Sequence, residues 1–529
     1  MEKSHQQRIV EAMMNPGFYP HPVASVGRRE THISTVFLTG AFVYKIKKPV
    51  DLGFLDFTTL EKRMHYCRQE ITLNRRLSDM VYIDMIPITL QGDRYGLDGP
   101  GETVEYTVKM HQLSETDSIR QRLQSGTLND GHVEELVRLL TGFYALAPKR
   151  RETDPPASLA WEENLQLAER FAGRWIDRRQ FEFVRTASRS FFRRHQRLFH
   201  RRRMEGKIKD GHGDLRTDHI YFTKKGIQII DCIEFNDRLR VLDIISDLAF
   251  LVMDLEYNRF PQTARSLIRW YLKQTGDMGA LSLLAFYCCY RAMVRCKVSC
   301  FSIRKYGSRR ADPGMIAAAG RYLTMAHEYA AAFNRPFLWI CCGLPGSGKS
   351  TIARTLASVL DADVIGSDVI RKQLFAGSFG PAAGGAYQDG MYSAYATGIT
   401  YERLFALARE DLKKGNSIII DATFSRASRR TQAVRMAASL EAMPVFVECG
   451  AKEPTLAARL LKRETRPSVS DARLIHLEAF KKRFEPLSRI ADAIYIPVDT
   501  ENSPAVCLGH ILMTDSLMDG FTRKGGEHV

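Results

Sequence analysis

The sequence predicts two domains: an α+β domain of two lobes over residues 1–334, and an α/β domain with a parallel sheet over residues 335–529. Three observations predict them. A chain of 529 residues exceeds what one hydrophobic core supports. Up to Asn334, strand-like alternation comes first and helical periodicity follows. Past the junction at Arg335-Pro336, apolar runs and helical runs alternate, as in a parallel sheet.

In the first domain, residues 30–50 place apolar Val36, Leu38, Val43 and Ile46 between polar neighbours, the period-2 pattern of strands. A helix is expected over Thr59–Leu77, then strands at Tyr82–Leu90 and Glu105–Met110. Asp130 to Arg203 is helical in pattern, Gly211–Asp237 is loop and strand, and helices resume to Asn334. In the second domain, Phe337–Cys342, Asp363–Ile365, Ser417–Asp421 and Pro444–Cys449 are the expected strands. Helices are expected at Ile352–Leu360 and from Thr455 to Arg466, where Pro467 ends the pattern.

Hydrophobic residues make up 45% and charged residues 26%, the balance of a globular protein. Met1–Pro22 has neither an apolar segment nor a small-residue cleavage site. Leu248–Leu255, Leu281–Tyr290 and Phe337–Leu344 all fall short of the roughly 20 apolar residues of a bilayer span. A soluble, cytoplasmic protein with no membrane partner is expected. None of the ten cysteines forms a C-x-x-C pair, and Cys288, Cys289, Cys296 and Cys300 are expected to be buried, reduced thiols. Of the net charge of +16, residues 336–529 carry +3 (24 Lys+Arg against 21 Asp+Glu) and the rest carry +13. Arg170, Arg174, Arg178, Arg185, Arg189, Arg193, Arg197 and Arg201 recur mostly at four-residue spacing. That stripe suits either a solvated helix face, with Phe171, Trp175, Phe192 and Phe199 turned inward, or a polyanion. No RNA- or DNA-binding motif accompanies it, so nucleic acid is not the favoured partner.

The strongest signal is Gly343-Leu-Pro345-Gly346-Ser347-Gly348-Lys349-Ser350-Thr351, a complete G-x-x-x-x-G-K-[ST] between an apolar strand and a helix. Glycines let backbone N–H groups curl around phosphate oxygens, and the helix N-terminus adds partial positive charge. Lys349 is expected on the β- and γ-phosphates of ATP and Ser350 on Mg²⁺. Asp368 follows the second strand and is placed to accept a hydroxyl proton, or else to cap the next helix. Arg371, three residues on, shares its face and suits an anionic group. Asp421 ends an apolar strand, the position of a carboxylate near Mg²⁺ and its waters. Arg426, Arg429 and Arg430 follow it. Arg459 and Arg463 share one helix face and, with Arg466, suit a lid that neutralises charge developing on phosphate.

Together these residues resemble the P-loop small-molecule and polynucleotide kinases, zeta toxins among them, over Phe337 to Asp499. The resemblance implies an ATP-dependent phosphotransferase with Mg²⁺, Asp368 as base, Arg371 on an acceptor phosphate and Arg463 as lid arginine. The D-x-x-R spacing is similar to that of polynucleotide 5′-kinases in particular. The glycine- and alanine-rich residues between Phe375 and Tyr395 are expected to cover the acceptor.

In the first domain, His212-Gly213-Asp214-Leu-Arg-Thr-Asp-His219, followed by an apolar run ending at Asp231, resembles the catalytic region of aminoglycoside-phosphotransferase-like kinases. The resemblance implies a bilobal protein-kinase-like fold, Asp214 as catalytic base and Asp231 as a Mg²⁺ ligand. Lys45 would be the phosphate-binding lysine, with Lys47 as competitor, and Glu70 its ion-pair partner. The chain departs from the family at two places. His219 stands where the family has a metal-binding Asn, and only Thr39-Gly40 remains of a glycine-rich loop. As a whole the chain is similar to a bacterial fusion of such a domain with a P-loop kinase. Three functions follow as expectations: a kinase of small hydroxylated molecules, a nucleic-acid 5′-end kinase, or a regulatory ATPase with a degenerate N-terminal sensor.

Overall fold

The computed structural model describes residues 5–53, 55–148, 159–306, 313–375, 392–464, 473–487 and 490–521. Most of the glycine- and alanine-rich stretch after Phe375, and Arg466, lie outside them. The chain forms two compact units. The first takes residues 1–181, 199–275 and 290–324, and the second takes 182–198, 276–289 and 325–529.

The first unit opens on a six-stranded antiparallel sheet, β1 (Gly27–Glu30), β2 (Ser34–Leu38), β3 (Phe42–Lys47), β4 (Tyr82–Gln91), β5 (Arg94–Leu97) and β6 (Glu102–His111). Its order is β1-β2-β3-β6-β4-β5. Side chains alternate faces along β3. Tyr44 and Ile46 join Ile9, Met13 and Phe37 on one face, while Val43 joins Cys67, Ile71 and Val108 on the other. Lys45 and Lys47 therefore point to the second face, against the helix Leu60–Asn74. Thr59 caps that helix by accepting from the Lys62 N–H. The helix buries Arg63, Cys67, Glu70 and Asn74 at three- and four-residue spacing. Two short antiparallel pairs follow, β7 (Ile208–Asp210) with β10 (Val241–Asp243) and β8 (Ile220–Thr223) with β9 (Gly226–Ile229). The helix Ile244–Tyr257, buried over nearly its whole length, anchors them. Strands followed by a helical part are what the sequence predicts.

The second unit is built on a parallel sheet of β11 (Phe337–Cys342), β12 (Asp363–Gly366), β13 (Ile418–Asp421), β14 (Met443–Gly450) and β15 (Ile494–Asp499). Its order is β12-β13-β11-β14-β15. The core strands are buried on both faces, with Leu338, Ile340, Ile418, Ile420 and Phe446 in one cluster. The order reverses beside β11, so the crevice at the carboxyl ends of β11 and β13 is where this topology places a ligand.

The basic stripe does not lie on one helix. Its residues fall on and between Ala160–Glu169, Arg178–Arg194 and Gln196–Met204. Phe171 is buried there as expected, with Phe181, Val184, Phe191 and Leu198, while Trp175, Phe192 and Phe199 are only partly covered. A doubled Phe leaves the inward face ambiguous by one position. All ten cysteines are buried and none is in a disulfide, including the four on Leu281–Tyr306. No described helix is long and apolar enough to cross a membrane.

Candidate active sites

In the second unit, the loop between β11 and the helix Lys349–Leu360 needs three left-handed glycines, Gly343 (φ +129°), Gly346 (φ +81°) and Gly348 (φ +86°). A Cβ on Gly343 would stand 2.3 Å from the Cys449 carbonyl oxygen. Gly343→Ala is therefore expected to weaken ATP binding at least about tenfold and to strain the loop by about 1–3 kcal/mol; calorimetric ATP titration and a melting curve check it. Lys349 Nζ folds back onto the Leu344 carbonyl at 2.8 Å. Ser347 Oγ is buried with no partner among the described residues. Behind the loop, the Thr500 hydroxyl lies 2.8 Å from the Ser347 carbonyl and 2.9 Å from that of Gly450. The Arg459 guanidinium donates to Thr500 Oγ1 (3.0 Å), Thr500 O (2.6 Å) and Gly346 O (3.3 Å). Arg459 and Arg463 thus both face a cavity of about 700 Å³ beside the helix N-terminus, lined also by Gly348, Thr351 and Pro504.

Sheet register brings the carboxylates to the same end. Asp421 pairs with Cys341 of β11 and with Gly366 of β12, so it sits beside the strand that runs into the loop and the strand that runs into Asp368. Burial pushes the Asp421 carboxyl up, against Lys349 and a hydrogen bond from Ser350. Ser350 and Asp421 give an all-oxygen donor pair, which fits Mg²⁺. Asp368 lies in the first turn of the helix Ser367–Phe375 and accepts from Arg371 at 2.9 Å. Arg371 is buried, its Nε has no partner among the described residues, and its guanidinium stacks 4.6 Å from the Tyr392 ring centre. Arg430 is engaged elsewhere, donating to the Phe424, Glu485 and Pro486 carbonyls.

In the first unit, Lys45 Nζ lies 2.7 Å from both Glu70 Oε1 and Asp231 Oδ1. Lys47 pairs with the other Glu70 oxygen at 2.8 Å and with Glu234. Lys45 rather than Lys47 reaches Asp231. Burial disfavours the charge on Lys45, but Asp231 and Glu70 overcome it and hold its pKa well above the usual lysine value. Asp247, on the helix Ile244–Tyr257, accepts from the backbone N–H of His212 (2.7 Å) and Gly213 (2.9 Å), which lie between β7 and β8, and from the Tyr144 hydroxyl (3.0 Å). That clamp aims Asp214 at the site. Arg216 Nε donates to Asp214 Oδ1 at 2.9 Å, and His219 Nε2 lies 3.5 Å from Asp231 Oδ2. Burial works against the charge of Asp214, but Arg216 and His219 prevail and hold its carboxyl well below the usual range. Asp231 sits at φ +65° and is held below that range by Lys45 and His219 in the same way. With His219 beside both carboxylates, the donor set is a poor fit for Mg²⁺, which prefers oxygen.

His212 is fully buried and its pKa is lowered to about 4 by desolvation. Its Nε2 donates to the Ile230 carbonyl at 3.0 Å while Nδ1 accepts from the Asp214 N–H at 3.3 Å, the neutral ring. An unfolded histidine takes its proton near pH 6.5, so this residue lowers stability by about 3 kcal/mol as pH falls from about 6.5 to about 4, and not above. Nitrogen NMR of the ring is expected to show it neutral at pH 5.5, where exposed histidines are charged.

The sequence alone assigned no role to Thr500, Arg216, Glu234 or Asp247. Thr500 carries one signal, a polar residue just past the carboxyl end of β15, and Arg216 another, two residues from Asp214.

The AAA domain family matches residues 338–487. Proteins of Mycobacterium tuberculosis and Mycobacterium bovis, both named only as uncharacterized, are 31% identical over 451 residues, 84% of this chain and 88% of theirs. Among solved structures, a choline/ethanolamine kinase family protein from Mesorhizobium loti is 13% identical, covering 61% of this chain and 99% of its own, with a TM-score of 0.37. An APS kinase of Mycobacterium tuberculosis is 19% identical, covering 34% of this chain and 95% of its own, with a TM-score of 0.26. With that identity and coverage, the chain belongs to the family of these mycobacterial proteins, and its second unit carries an AAA-type P-loop domain.

Proposed function

We infer that this protein is an ATP-dependent phosphotransferase whose second unit transfers the γ-phosphoryl group to a small hydroxylated acceptor. The observation that carries the reading is the meeting of the glycine loop, Lys349, Ser350, Asp421 and Asp368 at one end of a parallel sheet. Loop N–H groups and Lys349 hold the phosphates, and Arg459 and Arg463 line the nucleotide side. Asp368 takes the proton of the acceptor hydroxyl as its oxygen bonds to the γ-phosphorus and the bond to the β–γ bridging oxygen breaks, releasing ADP. Mg²⁺ held by Ser350 and Asp421 would neutralise phosphate charge. The buried, incompletely partnered Arg371 supports an acceptor that carries an anionic group. The first unit is read as a second kinase-like site, with Asp214 as base, Asp231 beside it, and Lys45 held by Glu70 to meet phosphate.

The test is transfer of labelled γ-phosphate from ATP into small molecules and nucleic acids of a kinase-depleted extract. A labelled small molecule lost with Asp368→Asn is the expected result. A labelled nucleic-acid end would replace the acceptor class, and free phosphate alone would sink the kinase reading in favour of a regulatory ATPase.

A further inference from the structure

We propose that the first unit binds a divalent transition cation of the Mn²⁺ or Zn²⁺ kind, chelated by His219 Nε2 and the carboxylates of Asp231 and Asp214, in place of Mg²⁺. The inference does not rest on phosphoryl transfer, since an inactive site would chelate in the same way.

The tautomer of His219 comes first. Arg216 can only donate, and its NH2 nitrogen lies 3.2 Å from His219 Nε2, so that nitrogen carries the lone pair. The ring proton then sits on Nδ1, 2.9 Å from the Asp214 main-chain oxygen. A backbone carbonyl that fixes one ring nitrogen and turns the other inward is the usual support of a ligand histidine. His219 is 8% exposed, so the ring is also held by packing.

The partners are placed to match. Lys45 takes Asp231 Oδ1, which leaves Oδ2 facing His219 Nε2 at 3.5 Å. Two ligand bonds of about 2.1 Å meeting at a tetrahedral angle separate their donor atoms by about 3.4 Å. One donor atom from each of Asp214, His219 and Asp231 falls within 4.8 Å of the others. The Arg216 NH2 nitrogen lies 3.3 Å from Asp214 Oδ2 as well as 3.2 Å from His219 Nε2, so a positive group already stands between two of the three ligands. A metal ion displacing it leaves Arg216 its contact with Asp218 Oδ2 at 3.0 Å. Lys45 lies between Glu70 and Asp231, Lys47 between Glu70 and Glu234, and Arg216 between Asp214 and Asp218, so each of these cations is shared by two carboxylates.

Selectivity follows from the donors. Mg²⁺ demands hard oxygen ligands in near-octahedral array, whereas one imidazole and two carboxylates suit first-row transition ions.

The experiment uses the full chain carrying Asp421→Asn, to silence the P-loop metal position, without nucleotide. MnCl₂ is titrated while free Mn²⁺ is read by electron paramagnetic resonance, and bound Mn²⁺ is examined for modulation by an imidazole nitrogen. One bound Mn²⁺ with a nitrogen signal is expected, displaced by ZnCl₂ but not by a hundredfold excess of MgCl₂. Adding His219→Asn is expected to abolish the nitrogen signal and to weaken Mn²⁺ by at least about tenfold, without weakening Mg²⁺. Asp231→Asn, which keeps the imidazole, is expected to weaken Mn²⁺ too, and decides the matter if the first variant does not fold. Failure to bind Mn²⁺ at millimolar concentration, a bound ion without nitrogen coupling, or an unchanged Mn²⁺-to-Mg²⁺ ratio in the His219→Asn protein overturns the proposal.

Discussion

Lys349→Ala is expected to lower phosphoryl transfer by the P-loop unit by about 10²–10³-fold, the usual cost of removing one preorganised charge from a developing anion. Lys349 donates to the Leu344 carbonyl of the loop at 2.8 Å and lies within electrostatic reach of Asp421. When phosphate enters, the neutral contact with the Leu344 carbonyl is exchanged for a charged one, so the side chain is positioned without being sequestered. The loop itself depends on Gly343, Gly346, Gly348 and Thr500 and not on Lys349. The variant should therefore fold with an unchanged melting temperature while kcat/KM collapses. Steady-state kinetics and a melting curve separate the two effects, and a loss of activity matched by a loss of fold would contradict this assignment.

Glu70→Gln is expected to destabilise the first unit by about 3–5 kcal/mol, the range for breaking a buried ion pair from one side. Glu70 is 1% exposed and each of its oxygens faces a lysine, Lys45 at 2.7 Å and Lys47 at 2.8 Å. Burial opposes its charge, yet the two ammonium groups hold its pKa below the usual value. Without the carboxylate, Lys47, itself fully buried, keeps Glu234 alone, and Lys45 keeps Asp231 alone. Denaturant unfolding of wild type and variant reads the difference. A loss under about 1 kcal/mol would mean that Glu234 and Asp231 carry the two charges without it.

The P-loop was legible in the sequence because its chemistry is local: glycines at fixed spacing, a lysine and a hydroxyl, all within nine residues between a strand and a helix. The strand end at Asp421 was legible because an apolar run that stops at a polar residue marks the carboxyl edge of a parallel sheet; the second strand, expected over Asp363–Ile365, runs one residue further, to Gly366. The pairing of Lys45 with Glu70 was implied by family resemblance, not by spacing, and its contact with Asp231 was not expected. Contacts that only folding brings together were silent. Thr500 meets Ser347 across 153 residues, and Lys47 meets Glu234 across 187. The basic stripe misled for a different reason: four-residue spacing reports a helical face but not where one helix stops, and the chain breaks it between Glu169 and Arg178 and again at His195.

The central claim is that the chain carries two separate nucleotide sites, and counting bound ATP tests it most directly. Calorimetric titration of a non-hydrolysable ATP analogue is done on wild type, Lys349→Ala, Lys45→Met and the double variant, with both Mg²⁺ and Mn²⁺ present. The account predicts two molecules bound to wild type, one to each single variant and none to the double. A single molecule bound to wild type and lost with Lys349→Ala alone would contradict it, leaving the first unit without a nucleotide.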